Sequence, residues 1–276
     1  MTEADDIQAM FASAECAGQL CVQSLDGARE VAIDADKSVV SASVFKVLVA
    51  VVAETAFAER AIDPTERVIL RGGSPVPGPV GFSLYQDDVQ VSLRDLVVPM
   101  LTISDNAATD ALLNRLGVDY VNKCAERLGL RDTVIPSDMR TMIDSIGQDA
   151  GFADWNAMLA WTAQPNDDRD EAEVVERIAR SRALTSDLRN RTTARDMATL
   201  LRLIWTNQAG PARACSRVRR LMRQQVAKHR LASQFKAPAN VAAVFTQANI
   251  PWHNESAINV VIGHSAATAV SRFRLR

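Results

Sequence analysis

The sequence predicts an α+β fold in which an antiparallel sheet is built from both ends of the chain, flanked by helices, and a mainly helical lobe is inserted between them. Three observations carry that expectation. Strand-like runs flank Asp26-Gly27 near the start, another run at residues 241–247 is strand-like near the end, and the stretch between them has helical apolar spacing over most of its length. At 276 residues the chain can bury a sizeable core without disulfides or metal. The expected division is 1–42 with 211–276 as the sheet lobe and 43–210 as the helical lobe, forming one continuous unit.

In chain order, residues 7–15 read as a short helix. Residues 19–25 and 29–34 read as two strands joined through Asp26-Gly27, a dipeptide suited to the tight turn of a hairpin. Residues 44–58 are apolar nearly all round, the pattern of a helix buried on every side. Asp63-Pro64 ends that pattern, and Arg67-Val68-Ile69-Leu70 is a short extended piece. Residues 72–81 hold four glycines and three prolines, which marks a loop rather than a linker between independent domains. Ser92 and Asp95 form a capping pair for a helix running into Ser104, and residues 105–116 and 118–128 are helices stopped by Gly117 and Gly129. Residues 138–148, 154–161 and 168–182 follow as short helices with acid at their starts. Residues 192–205 and 211–226 are amphipathic helices, and residues 255–274 carry the apolar stripe of a terminal helix.

Chemistry enters at Ser43 and Lys46. Three residues apart at the head of a helix, their side chains share a face one turn apart, so an amine can reach the hydroxyl and activate it as a nucleophile. Lys46 is followed by Val47, Leu48, Val49, Ala50, Val51 and Val52, so its ammonium is expected to be at least partly buried. Burial lowers the pKa of an amine toward the range of a general base. About 60 residues later stands Ser104-Asp105-Asn106.

S-x-x-K followed at this distance by S-D-N resembles the class A β-lactamases and the wider family of penicillin-binding serine hydrolases. The run from Asn190 to Leu201 resembles the threonine-rich start of a late helix in that family, and the likeness covers most of the chain. The resemblance implies a β-lactamase-like fold and an acyl-enzyme route on a β-lactam or a related amide or ester. By it, Ser43 is the nucleophile and Lys46 its proton partner. Ser104 relays a proton to the leaving nitrogen, and Asp105 and Asn106 stand on the substrate side, Asn106 contacting a substrate amide or the lysine. It implies no cofactor and no metal.

Two parts of the family pattern are not matched. The third motif, Lys-Thr/Ser-Gly on a strand beside the nucleophile, occurs nowhere in the chain. One alignment makes residues 241–247 the last strand, with the motif strand and its neighbour deleted and the sheet reduced. The other keeps Lys236 as a displaced motif lysine, although Pro238 suits a central strand poorly. An open edge left by deletion would call for cover by the 72–81 loop or by a second protomer. The place of the family's deacylating glutamate falls on or near Met142, and Asp144 is the nearest acid. Acylation without efficient turnover is therefore one expectation. A homologue that only binds a ligand or partner in the same cleft is a second, and an esterase or peptidase a third.

Composition excludes several classes. With a formal net charge of -2 and interspersed signs, no nucleic-acid or anionic-membrane partner is expected, and Arg217, Arg219, Arg220 and Arg223 read as the wet face of a helix. Residues 39–58 are interrupted by Ser41, Ser43, Lys46 and Glu54, which argues against a membrane span. Met1 to Asp6 is acidic and lacks a secretory pattern, so the sequence as written implies a cytoplasmic protein. Cys16, Cys21, Cys124 and Cys215 lack metal-ligand spacing and read as reduced, packed thiols, while His229, His253 and His264 read as surface or capping residues.

Overall fold

The computed structural model describes residues 3–73, 76–164, 171–185, 189–226, 240–248 and 268. The chain divides into two compact units, one of residues 1–39, 128–132 and 192–276, the other of residues 40–127 and 133–191.

The first unit is built on β1 (Cys16–Ser24), which pairs antiparallel with β2 (Glu30–Ile33) in the register Leu20 to Ile33 and Gln23 to Glu30. This is the hairpin expected around Asp26-Gly27. Before it, α1 (Glu3–Ser13) buries Ile7 and Phe11. The strand expected near the end, β7 (Asn240–Ala248), pairs antiparallel with the other edge of β1, from Cys16 with Ala248 to Ser24 with Asn240. Among the described residues the sheet is three-stranded in the order β2-β1-β7, so both ends of the chain do supply it. Residues 230–236, the terminal helix expected at 255–274 apart from the helical Thr268, and all three histidines lie outside the described residues.

The expected lobe boundary at 210/211 is corrected to 191/192, because α10 (Ala194–Trp205) packs on β1 and β7. The reason is polar. Gln23 donates to Glu30 and takes the Arg202 guanidinium at 3.3 Å, and Arg195 pairs with both Glu30 and Asp36. These contacts give the buried polar groups of β1 their partners and fix the helix to the strand. Asp132 joins the same unit by donating its backbone N–H to Asp196 of α10 at 2.9 Å. Cys21 sits in this cluster, its thiol pushed up to about 12 by burial and by Glu30, which leaves it a packing group rather than a nucleophile. All four cysteines are free and buried. Helix α11 (Ala212–Met222) closes the described part of this unit on α10, burying Cys215, Val218 and Leu221.

The second unit surrounds α2 (Lys46–Ala58), with Leu48, Val49, Ala50 and Ala53 wholly enclosed. The short strand β3 (Val39–Val40) leads into it through a 3-10 turn at Ala42–Phe45. After α2, β4 (Arg67–Leu70) and β5 (Val89–Ser92) form an antiparallel ladder, with a second 3-10 turn at Gly81–Leu84 between them. Helices α3 (Leu93–Thr102), α4 (Asn106–Leu116) and α5 (Val118–Arg127) then pack against α2. They start and stop where side-chain chemistry requires: Ser92 caps α3, Asp105 caps α4, and Gly117, at positive φ, ends α4. Helices α6 (Met139–Asp149), α7 (Trp155–Thr162), α8 (Glu171–Ala179) and α9 (Arg182–Thr185) complete the unit before β6 (Arg191–Thr192).

One close approach fixes α1 on the sheet. A Cβ placed on Gly18 of β1 would run into the ring of Phe11, so the glycine lets the ring lie directly on the strand. Gly18→Ala should destabilise the protein by about 1–3 kcal/mol through overpacking, measured by urea unfolding. An unchanged midpoint would show that α1 does not need this contact.

Candidate active site

Ser43, Lys46, Ser104, Asp105, Asn106 and Asp144 all belong to the second unit, while Lys236, the candidate for a displaced motif lysine, lies outside the described residues. The geometry of the site begins at Ser41, which is fully buried and donates its backbone N–H to the Asn190 carbonyl at 2.9 Å. Ala42 follows with φ at +44°, a conformation uncommon outside glycine. The 3-10 turn that starts there leaves Ser43 exposed to solvent and carries Phe45 and Lys46 inward, each 1% exposed.

The amine of Lys46 is held by one short turn. Its Nζ donates to the Ser104 carbonyl at 2.6 Å, to Asn106 Oδ1 at 2.8 Å and to Ser104 Oγ at 3.1 Å. An ammonium has three N–H groups, and here each has an acceptor. Burial nevertheless lowers its pKa from 10.5 to about 8, the nearby Asp105 carboxylate offsetting part of the loss.

Helices α3 and α4 position these acceptors. The Pro99 carbonyl of α3 takes the N–H groups of both Ile103 and Asp105, turning the chain back on itself. Ser104 sits between them at φ +63°, and in that conformation both its carbonyl and its hydroxyl meet Lys46. Asn106 links two elements: Oδ1 accepts from the lysine while Nδ2 donates to the Pro77 carbonyl at 2.9 Å. An ammonium only donates and a carbonyl only accepts, so this amide orientation is fixed by its partners.

The structure gives three of these residues contacts that the sequence does not show. Lys46 is expected to reach the Ser43 hydroxyl, but all three of its donors go to Ser104 and Asn106, and the Ser43 hydroxyl has no hydrogen-bond partner among the described residues. A buried ammonium needs every donor satisfied, and the 104–106 turn supplies acceptors in the interior where the exposed serine does not. Asp105 is expected on the substrate side, yet it is wholly buried. Its Oδ1 accepts from Ala108 N–H at 2.9 Å, capping α4, and its Oδ2 accepts from Phe82 N–H at 2.7 Å. It positions the turn. Asp144, the acid nearest the place of the family's deacylating glutamate, lies on α6 in an ion pair with Arg140 at 2.6 Å, and among the described residues no hydrogen bond joins it to Ser43 or Lys46.

Sequence reasoning missed the residues that brace this turn. Pro77 and Phe82 come from the glycine- and proline-rich loop and its flank, and they act through backbone atoms, which leave no mark in side-chain identity. Gly81 did carry a signal, since its φ is +65° and a Cβ there would enter the Asp105 carboxylate. Among the described residues no group of His, Cys, Asp or Glu could hold a metal ion, and no helix is long and apolar enough to cross a membrane.

Comparison with known proteins adds to this geometry. The family described as the beta-lactamase enzyme family matches residues 3–270. The beta-lactamase regulatory protein BlaB of Streptomyces cacaoi is 26% identical over 239 residues, covering 80% of this chain and 73% of that one. A beta-lactamase from Sphaerobacter thermophilus superposes with a TM-score of 0.73 at 20% identity, covering 99% of this chain and 98% of the other. A point mutant of PBP-A, in an acyl-enzyme complex with penicillin G, gives 0.71 at 19% identity over 99% and 97%. The structural likenesses establish a β-lactamase fold.

The depressed Lys46 pKa makes stability depend on pH in one direction. Below pH 8 folded and unfolded chains both carry the proton, and the cost of the buried charge is borne in full; between about 8 and 10.5 only the unfolded chain holds it, so stability rises with pH. Lys46→Met should therefore remove an increment on the order of 3 kcal/mol across that window from urea-unfolding free energies compared at each pH. Parallel wild-type and mutant curves would show that the amine is not desolvated.

Proposed function

The chain belongs to the beta-lactamase enzyme family, and we propose that within it this protein is a serine hydrolase that forms an acyl-enzyme at Ser43 on a β-lactam or a related amide or ester, and releases the acyl group slowly. The observation that carries this reading is the fully enclosed Lys46 amine, one turn from an exposed serine, with a pKa brought down to about 8.

The hydrogen bonds of Lys46 indicate how protons would move. Neutral Lys46 has two N–H groups and a lone pair. The Ser104 carbonyl and Asn106 Oδ1 can only accept, so they keep the two N–H groups, and the contact with Ser104 Oγ, having lost its N–H, leaves the lone pair free for the Ser43 proton. Lys46 takes the Ser43 proton as Oγ attacks the carbonyl carbon. The tetrahedral oxyanion is met by the backbone N–H of Ser43. The carbon–nitrogen bond then breaks, Ser104 gives its proton to the leaving nitrogen, and the Lys46 ammonium restores the Ser104 proton. An ester reacts by the same route with an alcohol leaving.

Slow release is supported by the acids. Asp105 is spent on capping α4 and on Phe82, Asp144 is paired with Arg140, and no carboxylate among the described residues is hydrogen-bonded to Ser43 or Lys46. The PBP-A mutant captured with penicillin G carries a related fold in an acylated state. A second reading, a regulatory homologue that senses its ligand without turnover, is favoured by the likeness to BlaB and by the Ser43 hydroxyl lacking a described partner.

Intact-protein mass spectrometry after incubation with benzylpenicillin tests the proposal. One covalent adduct, stable for minutes or longer and absent from Ser43→Ala, is expected. An adduct retained by Ser43→Ala, or no adduct on the wild-type protein with penicillin unconsumed, would overturn the assignment of Ser43. Rapid consumption without an accumulating adduct would overturn slow release alone.

A further inference from the structure

Helix α4 has a second functional-looking face. A cavity of about 440 Å³ lies against it, walled on one side by Val68 and Leu70 of β4 and on the other by Ala107, Asp110, Ala111 and Asn114. The four helix residues are spaced i, i+3, i+4 and i+7, so they form one face, and the two alanines leave the space open. The volume is that of a small-molecule site. Phe82 lines it as well, and the bond from its N–H to Asp105 fixes that stretch of wall to the start of α4.

Asp110 gives the cavity its chemistry. It is 8% exposed, its Oδ1 accepts from the Arg140 backbone N–H at 3.1 Å and its Oδ2 from the Asn114 amide at 2.9 Å, and the Met139 backbone N–H also bonds the carboxylate. Those are hydrogen bonds from neutral groups; among the described residues no cation pairs with it. The arginines that also line the cavity are engaged elsewhere, Arg71 with Asp88 and Arg115 with Glu66. Burial raises the Asp110 pKa, as expected for a carboxylate without a counter-charge, and the Asp138 charge adds to the effect. Three donors leave the carboxylate, with about four acceptor sites, room for one more. A positive group arriving with an apolar body would give the carboxylate its counter-charge and fill the apolar walls together.

We infer that this cavity binds a small organic cation, an apolar or aromatic body bearing one ammonium or amidinium, with the cation on Asp110 and the body between β4 and the Ala107–Ala111 face of α4. Apart from Phe82, whose backbone N–H bonds Asp105, the residues named for this site are not those of the Lys46 cluster, and the site does not depend on Ser43 chemistry.

Isothermal titration calorimetry with 2-naphthylmethylamine, against the uncharged 2-naphthylmethanol, tests this. The amine is expected to bind one per chain and at least tenfold tighter than the alcohol. Asp110→Asn, which keeps the acceptor for Arg140 N–H, should bring the two ligands within threefold of each other. Ala111→Phe, which fills the cavity without touching the carboxylate, should abolish binding of both, and it decides the matter if the Asp110 variant does not fold. Equal affinity for amine and alcohol, absence of amine binding, or amine binding that survives Ala111→Phe would each overturn the inference.

Discussion

The Lys46 ammonium is the constraint on which the rest of the candidate site depends. A charge this deeply enclosed is tolerated only if each of its three N–H groups finds an acceptor, and a single turn of chain supplies all three. That requirement explains otherwise costly features nearby. Ser104 adopts a left-handed backbone, which disfavours any side chain, and it thereby presents two oxygens at once. Asp105 is buried with its charge, but it caps α4 and anchors Phe82, so its desolvation is matched by two backbone N–H bonds. Asn106 then ties the amine to Pro77.

The same arrangement sets the amine's chemistry. Helix α2 is apolar on every side because α3, α4 and α5 enclose it, and that enclosure lowers the pKa of Lys46. Packing and reactivity are thus one property seen twice. The positive φ at Ala42 performs a related task at the other end of the turn, leaving the serine outside while the lysine goes in. Strain of this kind costs about 1–3 kcal/mol at each position and persists only where the surroundings hold it; here the Ser41 N–H bond to Asn190 and the buried Phe45 do so.

Much of this was legible in the residues. The Asp26-Gly27 hairpin, the enclosed helix after Ser43, the Ser92 cap and the glycine stops at 117 and 129 each follow from local chemistry, and the structure places the elements there. Burial of Lys46 followed from the apolar run behind it. Its partners did not, because a carbonyl such as that of Ser104 or Pro77 is available in every residue, and only the tertiary fold decides which one faces an amine. Asp105 was misplaced for the same reason: its motif marks the neighbourhood without saying which side chain turns inward. Helix α10 was assigned to the wrong lobe because its bond to β1 runs through Arg195, Arg202, Gln23 and Glu30, far apart in the chain and unremarkable singly.

The central claim, that the neutral amine of Lys46 receives the Ser43 proton, is tested most directly by the pH dependence of the acylation rate, followed with a chromogenic β-lactam under single-turnover conditions. A rate that climbs about tenfold per pH unit and levels off near pH 8, with the climb lost in Lys46→Met, is the predicted result. A rate that is flat from pH 6 to 9, or one that Lys46→Met leaves intact, would contradict it.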